Sequence, residues 1–317
     1  MPKKYVYALI ASGVLAASCA PSDGLGIAEI EASGISTNDS ADCADHTGTQ
    51  TNSSRDVQRN TTYTGTISVS ANGAACMIQS SAIPNHDVND GPTSFRNEMS
   101  PQNLTFSIPR NPQQAASPTS LTHRSYDAVM INGVPVDVLS AGCYDPSARR
   151  TDANGNTPAG CSDTHPWLID PPSAGNFFGE DSQNGHSQPD GTYHYHANPM
   201  ALLGDDDRIT GSSVIGFAAD GFPIFGTYFK DSTGTVRKAI SGYSLKQGAR
   251  PSGAGNPSGN HTGYYVADWE FTGQGDLDEC NGMTVDGQYG YYATDSYPWL
   301  VKCLKGTPDS SFNKRRP

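Results

Sequence analysis

Three histidines within eleven residues, His186, His194 and His196, have the types and spacing that most clearly indicate chemistry. After an Asp190-Gly191 turn, a short strand would place His194 and His196 on one face, about 6.6 Å apart, and the turn could bring His186 back beside them. Three neutral imidazoles can hold zinc with a fourth position free for water, and imidazole also suits copper. Hydrogen bonding to loop carbonyls is the alternative. We expect one transition metal, zinc or copper, at this centre.

A fourth nitrogen ligand could come from His86, which lies in a different part of the chain. The side-chain oxygens of Asp87, Asn89 and Asp90 in the same segment could instead bind calcium. However, the spacing is not that of an EF-hand loop, and an ordinary Asn/Asp turn explains it equally simply.

Acidic residues near the carboxyl end supply a candidate general base. In an extended segment, Asp276 and Asp278 would share a face while Glu279 points the other way. A carboxylate beside a metal-bound water can accept its proton, and Asp278 is the residue that we assign to this catalytic role. A calcium site or a solvated acidic turn are the alternatives.

The elements that must position these residues are mostly strands. The chain has 34 Gly and 22 Pro and is only 16% charged, which favours strands and turns over long helices. An Asn132-Gly133 turn and an Asp220-Gly221 turn each lie between β-rich arms and predict hairpins. Residues 141–191 show almost no periodicity and predict a long loop. We therefore expect a mostly β domain, a sandwich or barrel-like fold with long loops, stabilised by disulfides.

One stretch of the chain resembles another. Residues 190–198 align with residues 286–294, with the turn and the aromatic residues in common, but Gly290 and Tyr292 replace the two histidines. The two stretches are predicted to be equivalent hairpin strands, and they could be neighbours in one sheet. Chance similarity between aromatic hairpins is the alternative.

The cysteines indicate an oxidising compartment. Apart from Cys19, six of the seven cysteines remain, and an even number predicts three disulfides. Six cysteines allow fifteen pairings. Pairing of nearest neighbours is favoured, which gives Cys43–Cys76, Cys143–Cys161 and Cys280–Cys303.

The amino terminus is typical of an export signal. Two lysines precede a short apolar run, and residues 15–19 resemble a bacterial lipobox that would make Cys19 a lipidated residue. Ordinary cleavage near Ser18 or Ala20 is the alternative. Either reading places the protein outside the cytoplasm, as a membrane-anchored lipoprotein of the outer membrane or cell surface, or as a periplasmic or secreted protein.

Several motifs together resemble the YHYH-domain family. The signature is Tyr193-His194-Tyr195-His196, and matching segments follow at residues 215–226, 276–282 and 297–299. The resemblance covers roughly residues 131–306 and implies an extracytoplasmic protein. We expect a signal peptide at 1–19, a flexible tether at 20–60, a YHYH-type β domain at 61–306 and a polar tail at 307–317.

Charge narrows the choice of function. A net charge of −12 argues against nucleic acid as a partner and leaves a membrane contact only through the lipid on Cys19. A metal-dependent enzyme, hydrolytic with zinc or oxidative with copper, would act on a small molecule or an extracellular polymer. The alternative is a non-catalytic copper or zinc carrier or a surface-binding lipoprotein. An open coordination position and a cleft lined by Trp167, Tyr195 or Trp269 would favour the enzyme.

Overall fold

The computed structural model describes residues 39–314. The predicted signal peptide, the lipidation site Cys19, the first part of the predicted tether and the last three residues of the chain lie outside this range. No helix within residues 39–314 has the length and apolar character needed to cross a membrane.

The described chain consists mainly of short strands joined by long loops. The strands are β1 (Gly48–Asp56), β2 (Thr61–Ala71), β3 (Ala75–Ser80), β4 (Leu104–Pro109), β5 (Thr119–Ser120), β6 (Ala128–Met130), β7 (Pro135–Val136), β8 (Cys143–Tyr144), β9 (Asn156–Thr157), β10 (Gly185–Ser187), β11 (Tyr193–Tyr195), β12 (Val214–Ala218), β13 (Pro223–Phe225), β14 (Tyr228–Lys230), β15 (Val236–Lys238), β16 (Tyr243–Leu245), β17 (Trp269–Phe271), β18 (Gly282–Val285), β19 (Gln288–Tyr292) and β20 (Cys303–Leu304). One α-helical turn, α1, spans Asp207–Thr210, and 3₁₀ turns span Cys43–His46, Pro171–Ala174, Met200–Leu202, Val266–Asp268 and Ser310–Phe312.

Two larger sheets supply the core. A four-stranded sheet has the order β1-β2-β3-β4, and an eight-stranded sheet has the order β10-β11-β7-β6-β12-β13-β19-β18. Apolar side chains of both sheets, such as Ile78 and Phe106 from the first and Val129 and Ile224 from the second, belong to one buried cluster. The mostly β prediction is confirmed. No sheet formed by the described residues closes into a barrel.

All three predicted disulfides are present. Their bonds join Cys43 to Cys76, Cys143 to Cys161 and Cys280 to Cys303. The second bond closes part of the long loop between β7 and β10, so this segment is held by a covalent link despite its lack of regular structure.

The ordered domain is longer than the sequence predicted at both ends. Strand β1 lies inside the predicted tether and pairs along its whole length with β2. Its inward-facing residues are polar, and Asn52 is buried because its side-chain amide donates to the carbonyls of Ile83 and Asn132, at 2.8 Å each. At the other end, Phe312 is fully buried inside the predicted polar tail. The sequence did not indicate this order, because both segments have a low hydrophobic content.

The eight-stranded sheet is built from two copies of one four-strand arrangement. In each copy a first hairpin, β6-β7 or β12-β13, precedes a second hairpin, β10-β11 or β18-β19. The second strands of the two hairpins pair in parallel, β7 with β11 and β13 with β19. Antiparallel pairing of β6 with β12 joins the copies. The two aromatic strands are therefore equivalent, as predicted, but they are not neighbours, because the sheet order places them in opposite halves.

The equivalence extends to individual hydrogen bonds. Asp181 accepts from the Tyr193 hydroxyl (2.9 Å) and the Gly185 amide (3.1 Å). In the second copy, Asp278 accepts in the same way from the Tyr289 hydroxyl (3.1 Å) and the Gly282 amide (3.0 Å). A side chain in place of either glycine would collide with the tyrosine hydroxyl, since its Cβ would lie 2.5 Å from Tyr193 Oη or 2.1 Å from Tyr289 Oη.

A buried carboxylate also organises the loop that precedes β17. Asp268 accepts two hydrogen bonds from the Arg250 guanidinium (2.7 and 2.6 Å) and one from His261 Nδ1 (2.9 Å). Burial alone would raise the pKa of Asp268, but these donors outweigh burial and lower the pKa to about 2. The carboxylate therefore stabilises the fold above its ordinary pKa of 3.8, and this contribution is lost as the pH falls from 3.8 towards 2.

We expect Asp268→Asn to reduce the free energy of unfolding by about 1–3 kcal/mol at neutral pH, because Arg250 is left without its buried anion. The measurement is thermal unfolding of both proteins between pH 7 and pH 2. The gap between wild type and variant should narrow below pH 3.8. A gap that stays constant down to pH 2 would show that this carboxylate carries no pH-dependent stability.

Candidate functional site

The three predicted histidines converge at one end of the eight-stranded sheet. His186 lies on β10 directly across from His194 on β11, and His196 follows the last residue of β11. The Nε2 atom of His196 lies 3.1 Å from that of His194 and 3.2 Å from that of His186. His194 and His196 are buried. The predicted alternation is confirmed, since Tyr193 and Tyr195 point away from this cluster into the core.

Burial keeps these imidazoles neutral, and at least His186 presents a lone pair to the cluster. The Nδ1–H of His186 donates to the Phe178 carbonyl (3.1 Å), which leaves Nε2 unprotonated. Burial lowers the pKa of His186 to about 3 and that of His196 to about 4, and it holds the pKa of His194 well below its usual value. Three facing Nε2 atoms cannot all be satisfied by protons on one another, so the cluster suits a cation.

The spacing fits a metal ion. Two metal–nitrogen bonds of about 2.0–2.1 Å that span the observed distances would enclose an angle of about 100°, close to tetrahedral. Within the described residues, two groups bring three potential ligand atoms within 4.8 Å of one another. The second group, Asp42 with Cys43 and Cys76, contains a disulfide and offers no thiolate. The histidine cluster is therefore the group with the donors that zinc or copper prefers.

The cluster lies on the wall of an open cavity of about 390 Å³. Other side chains that line it are Arg96, Asn97, His123, Asp137, Leu139, Ser140, Pro158, Phe177, Phe178, Ser187, Gln188, Pro189 and Lys314. A metal held by the three histidines would thus have an open position within reach of a small ligand. The predicted aromatic residues do not form this wall: Trp167 packs on Tyr265, Tyr195 is in the core and Trp269 stacks on Tyr297.

Asp137 is the acidic residue of this cavity. One carboxylate oxygen, Oδ2, accepts from the Lys314 ammonium and from the Gln188 amide (3.1 Å). The other, Oδ1, is buried and has no donor among residues 39–314. Burial raises the pKa of Asp137, although Lys314 opposes the shift. A neighbouring buried carboxyl, Asp127, also has a raised pKa through burial and the nearby Asp137.

The second copy of the repeat shows what this site replaces. By strand register, His186, His194 and His196 correspond to Met283, Gly290 and Tyr292, and Asp137 corresponds to Phe225. The Phe225 ring stacks on Tyr292 at 5.1 Å and would collide with any side chain at position 290, at 2.5 Å from its Cβ. An apolar cluster fills the second copy. The two copies therefore share the same strands and turns. They differ at the positions that face the cavity, which are polar in the first copy and mostly apolar in the second.

His86 does not belong to the metal-ligand set. Its Nδ1–H donates to the Asp87 carbonyl (2.7 Å), and its Nε2 accepts from the Tyr195 hydroxyl (2.6 Å). Tyr195 lies on the face of β11 opposite to His194, so His86 supports the strand from behind. The structure does not bring His86 to the cluster, so a fourth histidine ligand stays a prediction that this geometry does not favour; the sequence could not show which face of β11 this loop approaches.

Asp278 is remote from the histidines. Its place beside β18 is six strand positions away from β11, about 30 Å at the usual strand spacing. There it caps the β18-β19 hairpin and lies 3.2 Å from Lys305 Nζ. The structure does not bring Asp278 to this centre, so its catalytic role there stays a prediction that the geometry does not favour; its hydrogen bonds are equivalent to those of Asp181.

The predicted calcium ligands already have protein partners. Asn89 accepts from the Phe95 amide, and both Asp90 oxygens accept from Ser182. Asp276 is paired bidentately with Arg237, with both contacts at 2.7 Å. Since the oxygens of Asn89, Asp90 and Asp276 are engaged, calcium stays a prediction that the geometry of these three residues does not favour.

Sequence reasoning missed Asp137 and Lys314. A signal was present, because residues 132–137 align with residues 220–225 through the shared turn glycine and proline, and Asp137 then stands out against Phe225. Lys314 gave no such signal, since it lies in the segment predicted to be a polar tail.

Fold and site define an extracytoplasmic, disulfide-bonded, mostly β protein with three clustered histidines on a cavity wall. The family model described as YHYH protein matches residues 105–306, more than half of the chain, and the chain belongs to this family. Comparison with curated proteins gave no match. Comparison with solved structures gave none either.

Proposed function

We propose that this protein binds one transition metal through His186, His194 and His196 and uses it as a metal-dependent hydrolase. The observation that supports this most strongly is the convergence of three neutral imidazoles, two of them buried, on the wall of an open cavity, with His196 Nε2 3.1 Å from His194 Nε2 and 3.2 Å from His186 Nε2. A zinc ion there would polarise a substrate and lower the pKa of a bound water.

Asp137 favours hydrolysis over oxidation. Its Oδ1 atom is a buried acceptor without a donor, in the same cavity as the histidines. A carboxylate that lines the cavity can receive the proton of an attacking water, which is the task of a general base in hydrolysis. Hydrolysis by a zinc-bound water gives this carboxylate a defined task. We therefore assign zinc as the metal and Asp137 as the base.

An enzyme is favoured over a carrier. A closed, four-ligand site without a cleft would favour a carrier, whereas the fourth histidine considered, His86, is engaged with Tyr195 and Asp87 elsewhere. The cavity leaves room for a substrate, which we take to be a small molecule or the end of an extracellular polymer. Lipidation of Cys19, proposed from the lipobox-like sequence, would hold the domain at a membrane surface.

The first test is elemental analysis of the mature protein, purified without a tag from the periplasm. We expect one zinc per chain in the wild type and none in His194→Ala/His196→Ala. His123→Ala is the matched control, because His123 lines the same cavity but its Nε2 bonds the Ser140 carbonyl (2.9 Å) outside the cluster. This control should keep its zinc.

Absence of bound metal in the wild type, even after incubation with zinc or copper and desalting, would overturn the proposal. One copper per chain would keep the site but replace hydrolysis by oxidation. Equal loss of metal in His123→Ala and in the double variant would show that metal content reports only the integrity of the fold.

A further inference from the structure

A second hollow opens beside the histidine cavity and shares its wall. Its volume is about 630 Å³, and Arg96, Pro158 and Phe177 line both spaces. A ligand that reaches the histidines can therefore extend past Phe177 into this hollow without leaving the surface of the protein.

The second hollow is strongly basic. Arg96, Arg149 and Arg150 line it, and none of these side chains has a hydrogen-bond or ion-pair partner in the described part of the chain. Four other arginines of the described chain are paired with aspartates; Arg59 and Arg250, for example, each lie within 2.9 Å of an aspartate oxygen. In a chain with a net charge of −12, three unpaired arginines at one place form a local field of the opposite sign.

The one acidic residue of the hollow does not cancel this charge. Asp152 directs Oδ1 to the amides of Asn154 and Asn156 (2.8 Å each) and Oδ2 to the side-chain amide of Asn156 (3.2 Å). Both carboxylate oxygens therefore accept hydrogen bonds from the turn that leads into β9. The three guanidinium groups thus remain available to a ligand.

Guanidinium groups recognise oxyanions in a way that lysine does not. The planar fork donates two parallel hydrogen bonds to a carboxylate, sulfate or phosphate, and it stays charged at any physiological pH. Between this fork and the histidines, Phe177 and Phe178 pack edge to face at 5.0 Å and give the passage an apolar wall.

From this arrangement we infer that the substrate carries an oxyanion group that Arg96, Arg149 and Arg150 bind, while the bond to be cleaved lies at the histidine centre. The inference rests on the proposed function for the reaction, but the anion site itself needs no metal. Carboxylate, sulfate and phosphate groups share the required chemistry, and the experiment separates them.

The test is calorimetric titration of metal-free mature protein with inorganic phosphate, inorganic sulfate and malonate at low ionic strength. We expect saturable binding of at least one probe, weakened by added salt. Arg149→Glu/Arg150→Glu should weaken binding at least tenfold. Arg208→Glu is the matched control, since Arg208 is exposed, lies on α1 and does not line either hollow; its affinity should stay within twofold of wild type.

The probe that binds most tightly identifies the chemical class of the oxyanion group on the substrate. Failure of all three probes to bind the wild type would overturn the inference, as would equal losses in Arg149→Glu/Arg150→Glu and Arg208→Glu. Binding that disappears in His194→Ala would also overturn it, because the anion would then occupy the histidine centre. Zinc content of Arg149→Glu/Arg150→Glu, measured in parallel, should be unchanged, so the failure of this inference is distinguishable from failure of the metal proposal.

Discussion

Asp137→Asn should lower the rate of zinc-dependent hydrolysis by about 10²–10⁴-fold while leaving the bound zinc in place. The carboxamide has nearly the same shape as the carboxylate, but it cannot accept a proton at the position of Oδ1. It also cannot neutralise Lys314, so the cavity becomes more positive. The rate falls because the base is lost, and the metal is kept because the three histidine ligands are untouched.

The measurement is kcat/KM for p-nitrophenyl acetate, used as a chromogenic probe of zinc-activated water, together with zinc content and thermal unfolding. Gln188→Ala is the control, because it removes the second hydrogen bond to Asp137 Oδ2 (3.1 Å) without removing the base. A rate change within threefold for that control is expected. Should Asp137→Asn hydrolyse the probe as fast as wild type with full zinc, Asp137 has no role as a base.

Asp181→Ala and Asp278→Ala should both destabilise the fold, but only Asp181→Ala should weaken metal binding. Each aspartate accepts a tyrosine hydroxyl and several backbone amides, so its removal leaves donors unpaired. We expect a loss of about 1–3 kcal/mol for the buried Asp181 and less for the partly exposed Asp278.

The change in zinc affinity should differ between the two variants. Asp181 fixes the β10-β11 hairpin that carries His186 and His194, and loss of such a supporting contact typically costs about 10–100-fold in metal affinity. Asp278 supports a hairpin whose equivalent positions are Met283 and Gly290, which offer no such ligands. Chelator competition gives the zinc affinities, and urea unfolding gives the stabilities. A similar loss of zinc affinity in both variants would mean that affinity follows global stability rather than the local hairpin.

The internal duplication indicates that the fold itself does not require the histidine cluster. The Asp278 copy folds with the same turn, the same tyrosine-to-aspartate bond and the same close glycine, yet without histidine. Burying three neutral imidazoles against one another lowers their pKa values and gives no stability that an apolar cluster could not supply.

Local sequence determined a large part of this protein. Asn-Gly and Asp-Gly turns fix hairpins because few residues tolerate the required backbone, and the period of two in a strand places His194 and His196 on one face whatever the rest of the chain does. The nearest-neighbour disulfides were also predictable, since short separations favour pairing.

Only the tertiary structure decided which distant segments meet these local elements. His86 and Asp278 carried suitable chemistry but lie behind β11 and at the far end of the sheet, because strand order depends on pairing between residues far apart in the chain. Strand β1 could not be predicted from the sequence pattern, because its buried side chains are polar. The buried Asn52 is satisfied by hydrogen bonds to other segments. Asp137 became a candidate base for the same reason: parallel pairing of β7 with β11 brings it beside the histidines, a neighbourhood that no local pattern encodes.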